Sequence, residues 1–179
     1  MSDSIALFIN EYRDTKRHLE DIKEISISIR RDEHYKKILL LSCASFYEMK
    51  ITNALKVGFL KCSPNQAFQA FVRHKAIERQ YHTYFEWNPD KANNINRFLG
   101  LFGDGFKSAV CKEIDNSESM KNKMRAFLTL GFERNKMVHE NFMDYTLEKT
   151  FDEIVLLHEE ALAFVDFLSD KIENITSFS

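Results

Sequence analysis

Glycine and proline are scarce in this chain of 179 residues, at five and two copies. Strand-rich folds need frequent turns, which these two residues supply, so the scarcity favours long helices. Cysteine is sparse as well. Cys43, Cys62 and Cys111 are odd in number and far apart, with no Cys-x-x-Cys pair and no His-x-x-x-His spacing beside them. That excludes a recognisable zinc site or disulfide framework and reads as free thiols in a reducing cytoplasm. No apolar run reaches the length of about 18 residues that marks a membrane span, and no basic start leads into an apolar stretch as in a secretory leader. A cytoplasmic protein without membrane contact is expected. Also missing are a phosphate-binding glycine loop, the glycines of a serine-hydrolase nucleophile elbow, and an acidic cluster resembling a two-metal nuclease site. Nor is there an excess of positive charge: 25 Lys and Arg stand against 27 Asp and Glu, for a net −2. Any contact with nucleic acid must then come from a local basic patch.

What the chain does have is apolar side chains at helical spacing. They make up 44% of it, and sixteen phenylalanines point to a large aromatic core or a buried subunit interface. Ile5, Phe8, Tyr12, Leu19, Ile22, Ile25 and Ile29 recur at spacings of three or four with one charged interruption, predicting a first helix over residues 4–29. A second helix is predicted from about Asp32 to Val57, with Gly58 as its C-terminal cap. It is apolar on two sides, through Tyr35, Leu39 and Phe46 and through Leu41, Ala44, Ile51 and Leu55, so it belongs in the centre of a bundle. Ser63-Pro64 reads as a cap and first helical residue, opening a helix to about Gln80. Asn88-Pro89-Asp90 marks a turn, and Gly100, Gly103 and Gly105 break the chain again. Ser117 or Ser119 caps a third long helix ending near Glu140. After a polar connection, Thr150 and Glu153 form a capping-box pattern. The fourth long helix carries Phe151, Ile154, Val155, Leu162, Val165, Leu168 and Ile172 on one stripe. The expectation is an all-α, single domain over residues 1–179. It comprises a bundle of four long helices with a short-helix insertion, at about 60–116, between the second and third.

The segment Glu133-Arg134-Asn135-Lys136-Met137-Val138-His139-Glu140 departs from this pattern. On an ideal helix turning about 100° per residue, Arg134, Asn135 and His139 fall within the arc that holds Met120, Met124, Phe127, Leu128, Leu130, Gly131 and Met137. Polar groups on a face that should pack cost several kcal/mol unless paired. Either an internal ion-pair network or a helix end reaching solvent satisfies them, or the site is functional. Glu48 shows the same conflict, lying in an arc with Leu41, Ala44, Ile51 and Leu55. Arg134 or His139 could pair with it, either to orient a catalytic pair or merely to stabilise the bundle.

The Arg-Asn-x-x-Val-His order resembles the Arg-x4-6-His signature of HEPN ribonucleases, in which a polar residue, often Asn, follows the arginine. The connection from Asn141 to Thr146, the capped helix from Thr150, Ser45-Phe46-Tyr47-Glu48, and the stretch from Phe85-Glu86-Trp87 to Phe102-Gly103 resemble the RiboL-PSP type of HEPN domain. The resemblance covers about Asp32 to Leu168. It implies an endoribonuclease working without a metal or other cofactor and leaving a 2′,3′-cyclic phosphate. It also implies a homodimer in which two Arg-His sets share one cleft, within a toxin–antitoxin or phage-defence system that has an antitoxin or other partner protein. Catalytic roles then fall to Arg134, His139, Asn135 and Glu48. HEPN toxins silenced by nucleotidylation carry a tyrosine two residues after the motif histidine; Asn141 stands there instead, which argues against that mode of control.

The side chains suit the chemistry. RNA carries its own nucleophile in the 2′-hydroxyl, so the enzyme needs a base, an acid and positive charge on the phosphorane. Histidine exchanges protons near neutral pH, and arginine holds two phosphate oxygens at once. Arg73, His74, Lys75 and Lys136 are candidates for tracking the RNA backbone, or are simply solvated helix surface. Trp87 and Phe85 could stack on a base or pack in the core of the insertion. His158 lies on the apolar stripe of the last helix and reads as a hydrogen-bonded core residue. The rival to an enzyme is a non-catalytic HEPN-like interaction or nucleic-acid-sensing module.

Overall fold

The computed structural model describes residues 3–78, 80–88 and 95–178. Among them there is no strand, and the order is α1 (Asp3–Asp21), α2 (Ile25–Cys62), α3 (Gln66–Val72), α4 (Tyr81–Tyr84), α5 (Asn96–Leu99), α6 (Asp104–Asp115), α7 (Glu118–His139) and α8 (Phe151–Glu173). A π-helical turn, Arg73–Ile77, follows α3, and a 3₁₀ turn, Gly100–Phe102, precedes α6. The fold is the all-α bundle expected. Long helices α1, α2, α7 and α8 build it, α2 packs against α1, α7 and α8, and the shorter helices lie between α2 and α7. The expected turn at Asn88-Pro89-Asp90 lies largely outside the described residues.

Two start signals read as their chemistry dictates. Ser117 accepts from the Met120 amide at 3.2 Å to open α7. Thr150 and Glu153 close a reciprocal capping box on α8, with the Thr150 amide 2.7 Å from Glu153 Oε2. Such caps stabilise a helix by about 1 kcal/mol each. From α8, Ile154, Phe164, Val165 and Leu168 are fully buried, against Leu39, Leu40 and Ile51 of α2 and Phe127, Leu128 and Leu130 of α7.

Other boundaries differ from the sequence reading. The first long helix ends at Asp21 rather than Ile29, because Lys23 adopts a left-handed conformation at φ 59°. The Glu24 amide then bonds the Leu19 carbonyl at 2.9 Å, a six-to-one closure normally built on glycine. Ile25 and Ile29 thus belong to α2, and both are more than half exposed. Nor does Gly58 stop α2, which continues to Cys62. A Cβ at Gly58 would lie 2.4 Å from the Ile172 carbonyl oxygen, so this glycine serves the close approach of α2 and α8, not a cap. The cap of α3 is Asn65, which accepts from Phe68, and not Ser63. The connection after α7 is less polar than its composition implied: Leu147 is fully buried, and the buried Lys36 donates to its carbonyl at 2.6 Å. Lys37 likewise bonds the Phe142 carbonyl at 2.8 Å, so α2 holds this connection in place.

Candidate active site

Helix α7 positions the signature residues. Its core face runs from Phe127, Leu128, Leu130 and Gly131 to Met137 in the last turn, all buried, while the other side of its C-terminal turns opens to solvent. There Arg134 and Asn135 are half-buried and His139 is exposed at the last helical position. Together with Glu48 of α2 they line a cleft of about 420 Å³, closed on the other side by Tyr81, His82 and Trp87 from the insertion. The four residues expected to be catalytic are thereby brought to one place.

Within the cleft, Arg134 Nη1 donates to Asn135 Oδ1 at 3.0 Å, which aims the guanidinium without consuming its charge. Among the described residues neither Arg134 nor Glu48 forms an ion pair, so the internal network offered as the bland alternative does not account for them. The direct pairing of Glu48 with Arg134 or His139 is likewise not made. The two charges nonetheless act on the same group. Burial pushes the Tyr81 hydroxyl well above the ordinary tyrosine range, the Glu48 carboxylate pushes further, and Arg134 opposes both. Tyr81 therefore stays protonated, a neutral hydroxyl under the influence of both charges.

The basic candidates are dispersed. Arg73 and His74 bind Glu78, at 3.6 Å and 2.8 Å, on the π-helical turn, and Lys75 is exposed beside them. None of the three lines the cleft. Lys136 points away from it and covers the Phe132 ring at 4.5 Å. Trp87 has the packing role considered for it. Its ring packs among Tyr81, Phe85 and Phe127, yet it also forms cleft wall, while Phe85 is buried. Tyr81 and His82 were not singled out from the sequence. Their four-residue helix is too short to show a period, and only its proximity to α2 and α7 gives them meaning.

After the motif, Asn141 has a local task. Its side chain donates to Asp144 at 2.6 Å and accepts from the Met143 amide at 3.2 Å, folding the turn that leads away from α7. Tyr145 then returns to Glu133 of α7 at 2.8 Å.

A family model described as RiboL-PSP-HEPN matches residues 8–174. The chain belongs to this HEPN family. No curated protein and no solved structure matches it. Membership points to a nuclease or another RNA-related role for the HEPN domain, and the matched span takes in every element that lines the cleft. No helix among the described residues is long and apolar enough to cross a membrane. Nor do any three or more His, Cys, Asp or Glu side chains among them group to hold a metal ion.

Beneath the cleft of the HEPN domain, its wall residue Tyr47 meets His158 of α8, with the hydroxyl 2.6 Å from Nδ1. His158 is fully buried and its Nε2 has no partner among the described residues. An unpaired lone pair costs less than an unpaired N–H, so the proton belongs on Nδ1, donated to Tyr47, whose own hydrogen reaches the His158 carbonyl at 3.3 Å. The core histidine read from the stripe is thus hydrogen-bonded through one nitrogen only. Burial lowers its pKa from 6.5 to about 4. Because the unfolded chain takes up this proton first, stability is full above about pH 6.5, falls as pH drops towards 4, and levels off below. Between pH 7 and pH 5 the loss should be about 2 kcal/mol. Urea midpoints at pH 7 and pH 5 would measure it, and His158→Phe should remove that part of the difference; an identical pH dependence in the variant would refute the assignment.

Proposed function

We propose that the domain is an endoribonuclease in which the 2′-hydroxyl of RNA attacks the adjacent phosphate. The observation that carries this is Arg134, Asn135 and His139 in one open cleft, with the guanidinium free of any carboxylate partner among the described residues. Arg134 would hold two phosphate oxygens and offset the charge that gathers on the phosphorane. His139 would take the 2′-hydroxyl proton or supply one to the leaving 5′-oxygen, and Asn135 fixes the arginine's orientation. His82 gives the same cleft a second imidazole, suited to whichever proton transfer His139 does not perform. Glu48, with no side-chain partner among the described residues, can accept from a hydroxyl or base amine of the substrate.

The products are a 2′,3′-cyclic phosphate and a 5′-hydroxyl, and the reaction proceeds without a metal. The HEPN domain works as an isologous dimer that brings a second Arg134–His139 set to the cleft. In support, Val138 lines the cleft yet is 53% exposed, an apolar group that a facing subunit would cover. The cellular setting that suits such an enzyme is cytoplasmic toxin–antitoxin or phage defence, with a partner protein restraining it.

The test is incubation of purified protein with total RNA in EDTA, followed by end-group analysis. Cyclic phosphate ends made by the parent, and not by an Arg134→Ala protein, are the expected result. Equal, inert samples from both would favour a non-catalytic interaction or sensing module.

A further inference from the structure

The cleft does not end at Glu48. Glu48 also borders a second hollow of about 310 Å³, whose wall includes Lys56 and Ile77. Lys56 and Ile77 in turn border a third hollow of about 270 Å³, lined by Phe59, Val72 and Arg73 among others. Three cavities that share their boundary residues form one groove. Its floor is a single ridge of α2, stepping four residues at a time through Ala44, Glu48, Thr52 and Lys56. Its opposite wall is the insertion, from Tyr81 back through Glu78 and Ile77 to Arg73.

At about 1.5 Å per residue, the ridge from Ala44 to Lys56 is about 18 Å long. That accommodates about five nucleotides at a stacked rise of about 3.4 Å, and fewer if the strand is extended. The chemistry changes along the way. Near the signature, Arg134 provides a phosphate contact. In the middle, Glu78 is an obstacle to a polyanion, but a hydrogen bond from His74 and the nearby Arg73 guanidinium satisfy it and hold its pKa below the ordinary range. Lys56 follows, with no ion pair or side-chain hydrogen bond to another described residue, although it lines both outer hollows. The last hollow is mostly apolar, with the Phe59 ring and Ile77 as walls and the amides of Gln66 and Gln69 at its edge. An aromatic face, apolar walls and a few amides are what a single unpaired base requires; a base still paired in a duplex could not enter.

We propose that this groove binds single-stranded RNA and seats one unpaired base of the substrate between Phe59 and Ile77, several nucleotides from the scissile phosphate. The assignment rests on the nuclease reading for what happens at Arg134, but the groove's affinity for RNA can be measured without cleavage.

The experiment uses a fluorescent oligonucleotide of about ten nucleotides, 2′-O-methylated throughout so that it has no nucleophile, as a single strand and as a duplex. Anisotropy titrations compare the parent with Lys56→Glu, which alters a groove wall, and Ala70→Trp, which fills the last hollow. Both sites lie away from Arg134 and His139. The expected results are tighter binding of the single strand than of the duplex by about tenfold, and a similar loss in each variant. Lys56→Glu should also lower the salt dependence by about one counterion. On cleavable RNA, the variants should raise KM for a decamer by more than they raise it for a dinucleotide too short to reach the last hollow. If Ala70→Trp fails to fold, as a melting curve would show, Lys56→Glu decides alone.

Cleavage by a parent whose variants match it in affinity and decamer KM overturns the groove and leaves the nuclease standing. Groove-dependent binding without cleavage does the reverse. No RNA binding by the parent overturns the groove, and with it the idea that its occupant is RNA rather than a protein segment.

Discussion

His139→Ala should lower RNA cleavage by about 10²–10⁴-fold while leaving the protein folded, since that is the contribution of one positioned proton-transfer group. His139 is exposed at the end of α7 and makes no side-chain hydrogen bond to another described residue, so its removal should change stability by less than about 0.5 kcal/mol. This separates chemistry from folding cleanly: matched melting curves beside a lost cleavage rate are the expected pair. Arg134→Lys is the informative companion. It keeps the charge but loses the planar fork, so a drop of about 10²-fold would locate the arginine's role in bidentate phosphate binding. His82→Asn belongs in the same series. If His82 performs the other proton transfer, the bell-shaped pH dependence of kcat/KM loses one limb in this variant and the opposite limb in the His139 variant. Full activity in His139→Ala would remove the basis for the proposed mechanism.

Gly131→Ala should destabilise the domain by about 1–3 kcal/mol, although helix propensity alone predicts a gain of about 1 kcal/mol. The new methyl carbon would fall 2.0 Å and 2.2 Å from two carbons of the Trp87 indole. A rigid ring held by Tyr81, Phe85 and Phe127 cannot give by that much without leaving its place. Expulsion exposes aromatic surface and removes one wall of the cleft, so activity should fall along with stability. Trp87 is the sole tryptophan. Its emission should therefore shift to longer wavelength in the variant, with the melting temperature lowered by several degrees. A more stable variant with unchanged emission would contradict the packing described here.

Much of this was legible in the order of residues, for reasons that differ by element. Ser117, and Thr150 with Glu153, were readable because capping is local chemistry confined to four consecutive positions. The polar residues Arg134, Asn135 and His139 stood out because they break a period that the rest of α7 keeps, but only their resemblance to the HEPN order gave them a functional reading. Gly58 was misread because a glycine looks the same whether it ends a helix or lets another helix's backbone come near; only Ile172, more than a hundred positions away, decides. Lys23 gave no signal, since lysine is not a residue that favours its backbone conformation. Nothing in the order of residues marks Lys36 and Lys37, whose long stems carry the ammonium groups to carbonyls of a distant connection. Tyr81 and His82 belong to the site through tertiary placement alone.

The joint at Lys23 offers a route to a sturdier background for all of these substitutions. A side chain in the left-handed region carries a steric penalty that glycine escapes, partly offset by glycine's greater freedom in the unfolded chain. Lys23→Gly should therefore raise the unfolding free energy by up to about 1 kcal/mol, measurable as a higher denaturant midpoint. Because the joint lies outside the cleft and the groove, that reserve would let damaging changes in the cleft be tolerated, giving the lineage headroom to alter its specificity without losing its fold.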